Sequence, residues 1–275
     1  MISIIGSGNV ASLFGSMLCI NGEQVDTVYS RNLSHAEELG EKCDCNATDD
    51  LMSLADADIY ILAVKDDALS EIIDVLCPLH PNSLFVHTAG SVSIDIFKGK
   101  AQHYGVIYPL QTISKGFTET DALDVTMYIE ASDMQALSTI SRVAGKITHN
   151  VVPLDSEHRK YLHISAVFAC NFVNHCYALA QRFMEKAGCP FSDLRPLIEA
   201  TAKKMRKLSP EQAQTGPAVR YDTKILEMHE ALIDDPIVKD IYRLMSQSIH
   251  QTAEEYAAKQ THDQLRPDKD TRSYF

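Results

Sequence analysis

The sequence predicts an α/β fold, a doubly wound and mainly parallel sheet, followed by an all-α C-terminal domain. Three observations predict it. Short apolar runs alternate with helical segments up to residue 152. One of them, Asp58-Ile-Tyr-Ile-Leu-Ala-Val64, is almost continuously apolar, as a strand buried on both faces should be. After Pro153 no strand pattern remains and the chain reads as helices. At 275 residues there is length for two cores, so the expected domains are 1–152 and 153–275. No low-complexity linker and no internal repeat separates them.

The elements follow in order. Residues 2–5 form the first strand, and Gln24-Val-Asp-Thr-Val-Tyr29 the second. A helix over 34–42 carries Ser34 with Glu37 three residues on, a capping-box spacing. Residues 48–55 read as a short helix with acidic residues in its first turn. After the 58–64 strand come an amphipathic helix over 67–77 and strands at 83–88, 105–108 and 126–130. A helix over 133–144 and a strand over 147–152 complete the first domain. The second domain holds four helical stretches: 156–187, ended by Gly188 and Pro190, then 191–208, 217–232 and 236–259. A polar tail from Thr261 to Phe275 is expected to be mobile.

The most informative motif joins the first strand to the first helix. Gly6-Ser7-Gly8-Asn9-Val10-Ala11 places glycines where a tight turn and a close anion require them, with a small residue where the helix meets its strand. A dinucleotide pyrophosphate would sit there on the helix N-terminus, in a Rossmann arrangement. The second strand bears on which nucleotide. It ends in Ser30-Arg31-Asn32 with no carboxylate to hold a free ribose 2′-hydroxyl, and a guanidinium with hydroxyl and amide neighbours suits a 2′-phosphate. NADP(H) is therefore the expected cofactor. Further cofactor contacts are expected at Val64 and Lys65, and at His87, Ala89 and Gly90, which follow later strands at the same edge of the sheet.

Composition excludes several classes. A net charge of −12 argues against a nucleic-acid surface and against attraction to anionic lipid. No run of ~18 apolar residues indicates a membrane span, and residues 2–5 are too short for a secretory core. Seven cysteines include one close pair, Cys43-Asp-Cys45, and no set has zinc-ligand spacing, so no metal is expected. Reduced thiols and a cytoplasmic location fit this usage.

Candidate chemistry lies on the 156–187 helix. It is apolar around most of its circumference between Tyr161 and Tyr177, which predicts burial. Lys160, His163, Asn171 and Asn174 fall at offsets 0, 3, 11 and 14, one stripe at about 100° per residue. Such polar groups either form a buried network or line a substrate cavity. A second candidate is Arg220, which with Asp222 is expected in the first turns of the 217–232 helix. Arg220 either clamps a substrate carboxylate or pairs with a nearby acid, and Thr215 is either a further contact or the helix cap. His87 is either structural or, with Lys160 and His163, a candidate general acid. Tyr108-Pro-Leu-Gln111 closes a strand and borders the same cleft.

The glycine motif, the Ser30-Arg31-Asn32 turn and the long helix after the Rossmann domain resemble pyrroline-5-carboxylate reductase and the deazaflavin-dependent NADP oxidoreductases. Closer is a bacterial group of Rossmann proteins with a helical domain and no assigned function. His87-Thr-Ala-Gly-Ser91, Tyr108-Pro-Leu-Gln111, Ala166-Val-Phe-Ala-Cys-Asn171 and Thr215-Gly-Pro-x-x-Arg220-x-Asp222 are similar to its signatures, so the likeness spans nearly the whole chain. This chain has Tyr108 where the group has His, and Tyr221 where it has Gly. The Lys-x-x-x-Asn pair of related hydroxyacid dehydrogenases is absent, Lys160 being 11 residues from Asn171. The resemblance implies an oxidoreductase and a homodimer whose long helices pack together and complete each other's sites. Hydride transfer to or from an imine, a carbonyl or a deazaflavin is the expected reaction. The lack of one unmistakable acid favours the imine or the deazaflavin. A non-catalytic NADP(H)-binding sensor or scaffold is the alternative, because a Rossmann fold alone does not imply turnover. The polar stripe separates them: an open cleft beside it favours an enzyme, a closed network favours a sensor.

Overall fold

The computed structural model describes residues 1–114 and 116–264. Eight strands form one sheet: β1 (Ile2–Ile5), β2 (Val25–Tyr29), β3 (Asn46–Thr48), β4 (Ile59–Leu62), β5 (Leu84–His87), β6 (His103–Pro109), β7 (Thr126–Ala131) and β8 (Asn150–Pro153). Their order is β3-β2-β1-β4-β5-β6-β7-β8. Every pairing is parallel except β6 with β7, so the expected mainly parallel, doubly wound sheet is present. The chain reverses its direction of travel across the sheet between β1 and β4, the crevice where ligands of such sheets bind.

Period-two alternation assigns the strand side chains to two cores. On one face Ile4, Ile61, Val86 and Ile107 meet α1 (Asn9–Ile20), α2 (Leu33–Cys43) and α5 (Met134–Ala144), the last following a short α4 (Glu119–Ala122). On the other face Ile5, Tyr60, Leu62 and Phe85 meet α3 (Leu69–Leu79) and Phe97. Tyr60 stacks on Phe85 at 5.2 Å.

Several local expectations are corrected. The 48–55 helix is replaced by β3 and one 3₁₀ turn, Leu51–Ser53. Thr48 is held in the sheet beside Tyr29, and the Asp50 side chain caps that single turn through Met52 N. Helix α2 starts one residue before Ser34, because Asn32 Oδ1 accepts from Ser34 N at 3.1 Å and takes the cap. The 191–208 stretch divides into a 3₁₀ turn, Phe191–Leu194, and α8 (Arg195–Lys204).

The long 156–187 helix is also not uniform. It consists of α6 (Ser156–Ala166), a π-helical segment (Val167–Phe172) and α7 (Val173–Lys186). Nor is it buried. Only Ser156 and Arg159 of α6 are, while Tyr161, Ile164, Phe168 and Phe172 are 74%, 53%, 61% and 51% exposed. An all-round apolar helix is buried when neighbours cover every side, and among the described residues nothing covers this aromatic-rich face.

The chain divides into two compact units, Met1–Val173 and the residues from Asn174 on. The strands do end by 153, yet α6 and the π segment belong with the sheet. Arg159 explains why. It is buried, and its Nη1 donates to Glu130 Oε2 on β7 at 2.5 Å and its Nη2 to Val92 O at 2.6 Å. Ser156 Oγ donates to the same carboxylate at 2.6 Å, and Ile94 N donates to Ser156 Oγ.

The second unit contains α7, α8, α9 (Pro210–Ala213), α10 (Thr223–Ala231) and α11 (Pro236–Gln264), with a small core of Leu179, Ile233 and Val238. Helix α11 extends past the expected end at 259, and the rest of the polar tail lies outside the described residues. Helix α10 starts at Thr223, not at 217. Residues 217–221 form turns, Tyr221 adopts a φ of 50°, and Asp222 caps the helix through Ile225 N. Arg220 therefore precedes the helix. Among the described residues, no helix is long and apolar enough to cross a membrane.

Candidate active site

Four loops leave the same edge of the sheet, after β1, β4, β5 and β6. The first is the glycine turn. Gly6 has a φ of 123°, and a Cβ there would lie 2.2 Å from Ala63 O, so no side chain fits between the turn and β4. A Cβ on Gly8 would meet nothing within 4 Å, leaving open space over the start of α1. No side chain caps that helix, and its first N–H groups point into the opening. Ala11 is fully buried against the sheet. The geometry suits a pyrophosphate: a close backbone, uncommitted donors and the positive end of a helix dipole.

At the tip of β2 the three expected phosphate contacts separate. Ser30 is buried and its Oγ accepts from Ser7 Oγ at 2.8 Å. Asn32 Oδ1 is occupied in capping α2. Arg31 is exposed and engages no carboxylate among the described residues. Asn9 Nδ2 donates to Ile113 O at 2.9 Å, which ties the helix start to the loop after β6, and Val10 packs partly into the core. Val64 packs against the glycine turn, and Lys65 is exposed beside it.

The loop after β5 is fixed from within. His87 is fully buried, stacks on Phe97 at 5.7 Å, and accepts Ala89 N through Nδ1 at 3.2 Å. Burial, reinforced by the Arg159 charge, lowers its pKa to about 3. A neutral imidazole enclosed in this way keeps only a weakly acidic N–H, so it is no general acid at neutral pH. This leaves His87 a loop-shaping residue, and Ala89 is likewise buried. Gly90 has no room for a side chain: a Cβ there would lie 2.5 Å from His163 Nδ1 and 2.7 Å from the Tyr108 ring.

Those two rings line a cavity of about 470 Å³. Tyr108 Oη and His163 Nδ1 are 3.1 Å apart, with the rings edge to face. Burial raises the Tyr108 pKa, partly offset by Arg159, so the phenol keeps its proton at neutral pH. Thr112 Oγ1 contacts Cys170 Sγ at 2.9 Å, and Asn171 lines the same space.

The predicted polar stripe is thus divided. His163 and Asn171 share the cavity, whereas Lys160 is exposed and pairs with Glu157 at 2.7 Å. Asn174 is exposed, beyond the π segment. A π turn takes an extra residue, so a count at 100° per residue fails once it is crossed. Arg220 is exposed and has no partner among the described residues. Sequence reasoning missed the Tyr108–His163 pair, which joins residues 55 apart. The one local hint was Gly90, whose need for close approach named no neighbour.

Comparison with known proteins places the chain in a family. Residues 1–90 match the model "NADP oxidoreductase coenzyme F420-dependent", and residues 125–249 match a domain of unknown function, DUF2520. No curated protein matches the chain. Protein BF3122 of Bacteroides fragilis, described as a putative NADP oxidoreductase, is 40% identical over 91% of this chain and 97% of its own, with a TM-score of 0.84. Protein TM1727 of Thermotoga maritima is 21% identical over 92% of this chain and all of its own, at a TM-score of 0.75. The pyrroline-5-carboxylate reductase of Coxiella burnetii shares the fold at 20% identity and a TM-score of 0.54, over 92% of this chain and 97% of that one. The chain belongs to the NADP oxidoreductase family of which the Bacteroides fragilis protein is a member.

Proposed function

We propose that the protein is an NADP(H)-dependent enzyme that transfers hydride to or from a small molecule bound beside Tyr108 and His163. An imine, a carbonyl compound or a deazaflavin would each serve as hydride partner. The observation that carries this reading is the open glycine turn under an uncapped helix, with an exposed Arg31 at the tip of the neighbouring strand that engages no carboxylate among the described residues. Bound nicotinamide supplies the hydride. The chain's own part is to hold the pyrophosphate at Gly6–Ala11, the 2′-phosphate at Arg31, and the partner within the cavity after β6. His163 and Asn171 face open space rather than a closed network, which supports turnover over the sensor alternative.

The exposed face formed by Tyr161, Ile164, Phe168 and Phe172 supports a homodimer built on the long helix, and the absence of paired thiols suits a cytoplasmic setting.

The test is titration of wild type and Arg31→Ala with NADPH and NADH. Loss of a charged hydrogen-bond donor is expected to weaken NADPH about 10- to 100-fold and leave NADH within a few-fold. Equal loss for both nucleotides would remove Arg31 from the 2′-phosphate. No binding of either would remove the cofactor from the site.

A further inference from the structure

Which hydride acceptor the cavity takes depends on its charge and on whether it holds a proton donor; the argument rests on the proposed NADP(H) reading. Among the described residues, none of those lining the cavity is Asp, Glu, Lys or Arg. A protonated imine would enter as a cation with no carboxylate to meet it, and a 2-oxo acid would bring a carboxylate with no guanidinium or ammonium to receive it. An uncharged molecule meets neither cost. Leu110, Leu162, Ala166 and Ala169 give such a molecule apolar surface in the same cavity as the polar pair.

A neutral carbonyl needs what an iminium does not, a proton on the atom that becomes the hydroxyl oxygen. Tyr108 is placed to give it. Its Oη lies 3.1 Å from His163 Nδ1, and Gly90 closes behind both rings, so the pair has little freedom to turn away. We propose that Tyr108 is the proton donor of a carbonyl-reducing site, with His163 as the residue that orients it, and that the substrate is an uncharged, partly apolar ketone or aldehyde.

The step balances without any other reactant. The carbonyl carbon accepts the hydride that NADPH supplies, and the π pair moves onto oxygen. That oxygen takes the proton from Tyr108 Oη. The phenolate is reprotonated through His163, whose proton comes from water. One ketone, one NADPH and one proton give one secondary alcohol and NADP+.

The experiment uses the full-length protein with NADPH and five probes: cyclohexanone, acetophenone, benzaldehyde, pyruvate and 2-methyl-1-pyrroline. Loss of nicotinamide absorbance is expected with the three neutral carbonyls in preference to pyruvate and the imine. Tyr108→Phe should lower kcat about 100-fold or more while KM changes only a few-fold. His163→Gln should lower kcat less and enlarge the solvent deuterium effect. A second readout needs no turnover: the carbonyl ¹³C signal of labelled acetophenone should move downfield on adding wild type, and should not on adding Tyr108→Phe. Binding of NADPH by the variant reports that it is folded. The inference is overturned by preferential reduction of the imine or pyruvate, or by carbonyl turnover indifferent to Tyr108→Phe. Neither turnover nor a ¹³C shift with any neutral carbonyl overturns it as well. If NADPH binds in that last case, only the carbonyl assignment fails; if NADPH does not bind, the cofactor reading beneath it fails too.

Discussion

Replacing Arg159 by Met should unfold the first unit at markedly lower denaturant, because this side chain fastens α6 to the sheet. Its guanidinium is 1% exposed and its partner Glu130 is 16% exposed, so both charges are held away from water. Met fills much of the same volume but supplies no donor. The Glu130 carboxylate is left with Ser156 Oγ, and Val92 O loses its bond. Removing one partner of a buried pair costs about 3–5 kcal/mol. For a unit of this size each kcal/mol is worth about 2–4 °C, so the melting temperature should fall by roughly 6–20 °C. With no tryptophan in the chain, unfolding by urea is best followed by circular dichroism. The double variant Arg159→Met/Glu130→Gln removes the stranded charge and should regain at least about 1 kcal/mol over the single one. A loss below about 1 kcal/mol for Arg159→Met, as at an exposed pair, would refute the argument. So would a double variant as unstable as the sum of the two singles.

Two other expectations concern acid stability and assembly. His87 stays neutral in the fold down to about pH 3, while an unfolded histidine takes up a proton near 6.5. Between these values the unfolded chain binds more protons. Stability from this residue is therefore fully present above 6.5 and falls by about 1.4 kcal/mol per pH unit as the pH drops below it. Urea unfolding of wild type and His87→Gln at pH 7 and pH 5 should give a smaller pH dependence in the variant, and equal dependence would contradict the burial argument. Phe168→Glu places a charge on the exposed face of the long helix and should convert a wild-type dimer into a monomer by light scattering after gel filtration. A monomeric wild type at micromolar concentration would remove the dimer from the proposal.

The α/β class, the switch to helices after residue 153 and the cofactor turn were determined by the sequence alone. Each rests on interactions between near neighbours: alternation along a strand, the φ and space requirements of Gly6 and Gly8, and a helix start with no side-chain cap. Short-range competition between caps was less legible, so α2 began at Leu33 under Asn32 and α10 waited for Asp222. Tertiary structure decided the cavity after β6. The expected stripe on the long helix assumed a constant 100° per residue, and the π segment from Val167 to Phe172 breaks that count. Burial was misread there because hydrophobicity records that a face should be covered, and not whether its cover comes from the same chain. His87 and Tyr108 both looked like polar residues at strand ends. Only packing made one an enclosed, neutral imidazole and set the other within 3.1 Å of His163, since such contacts join distant segments and leave no period in the sequence.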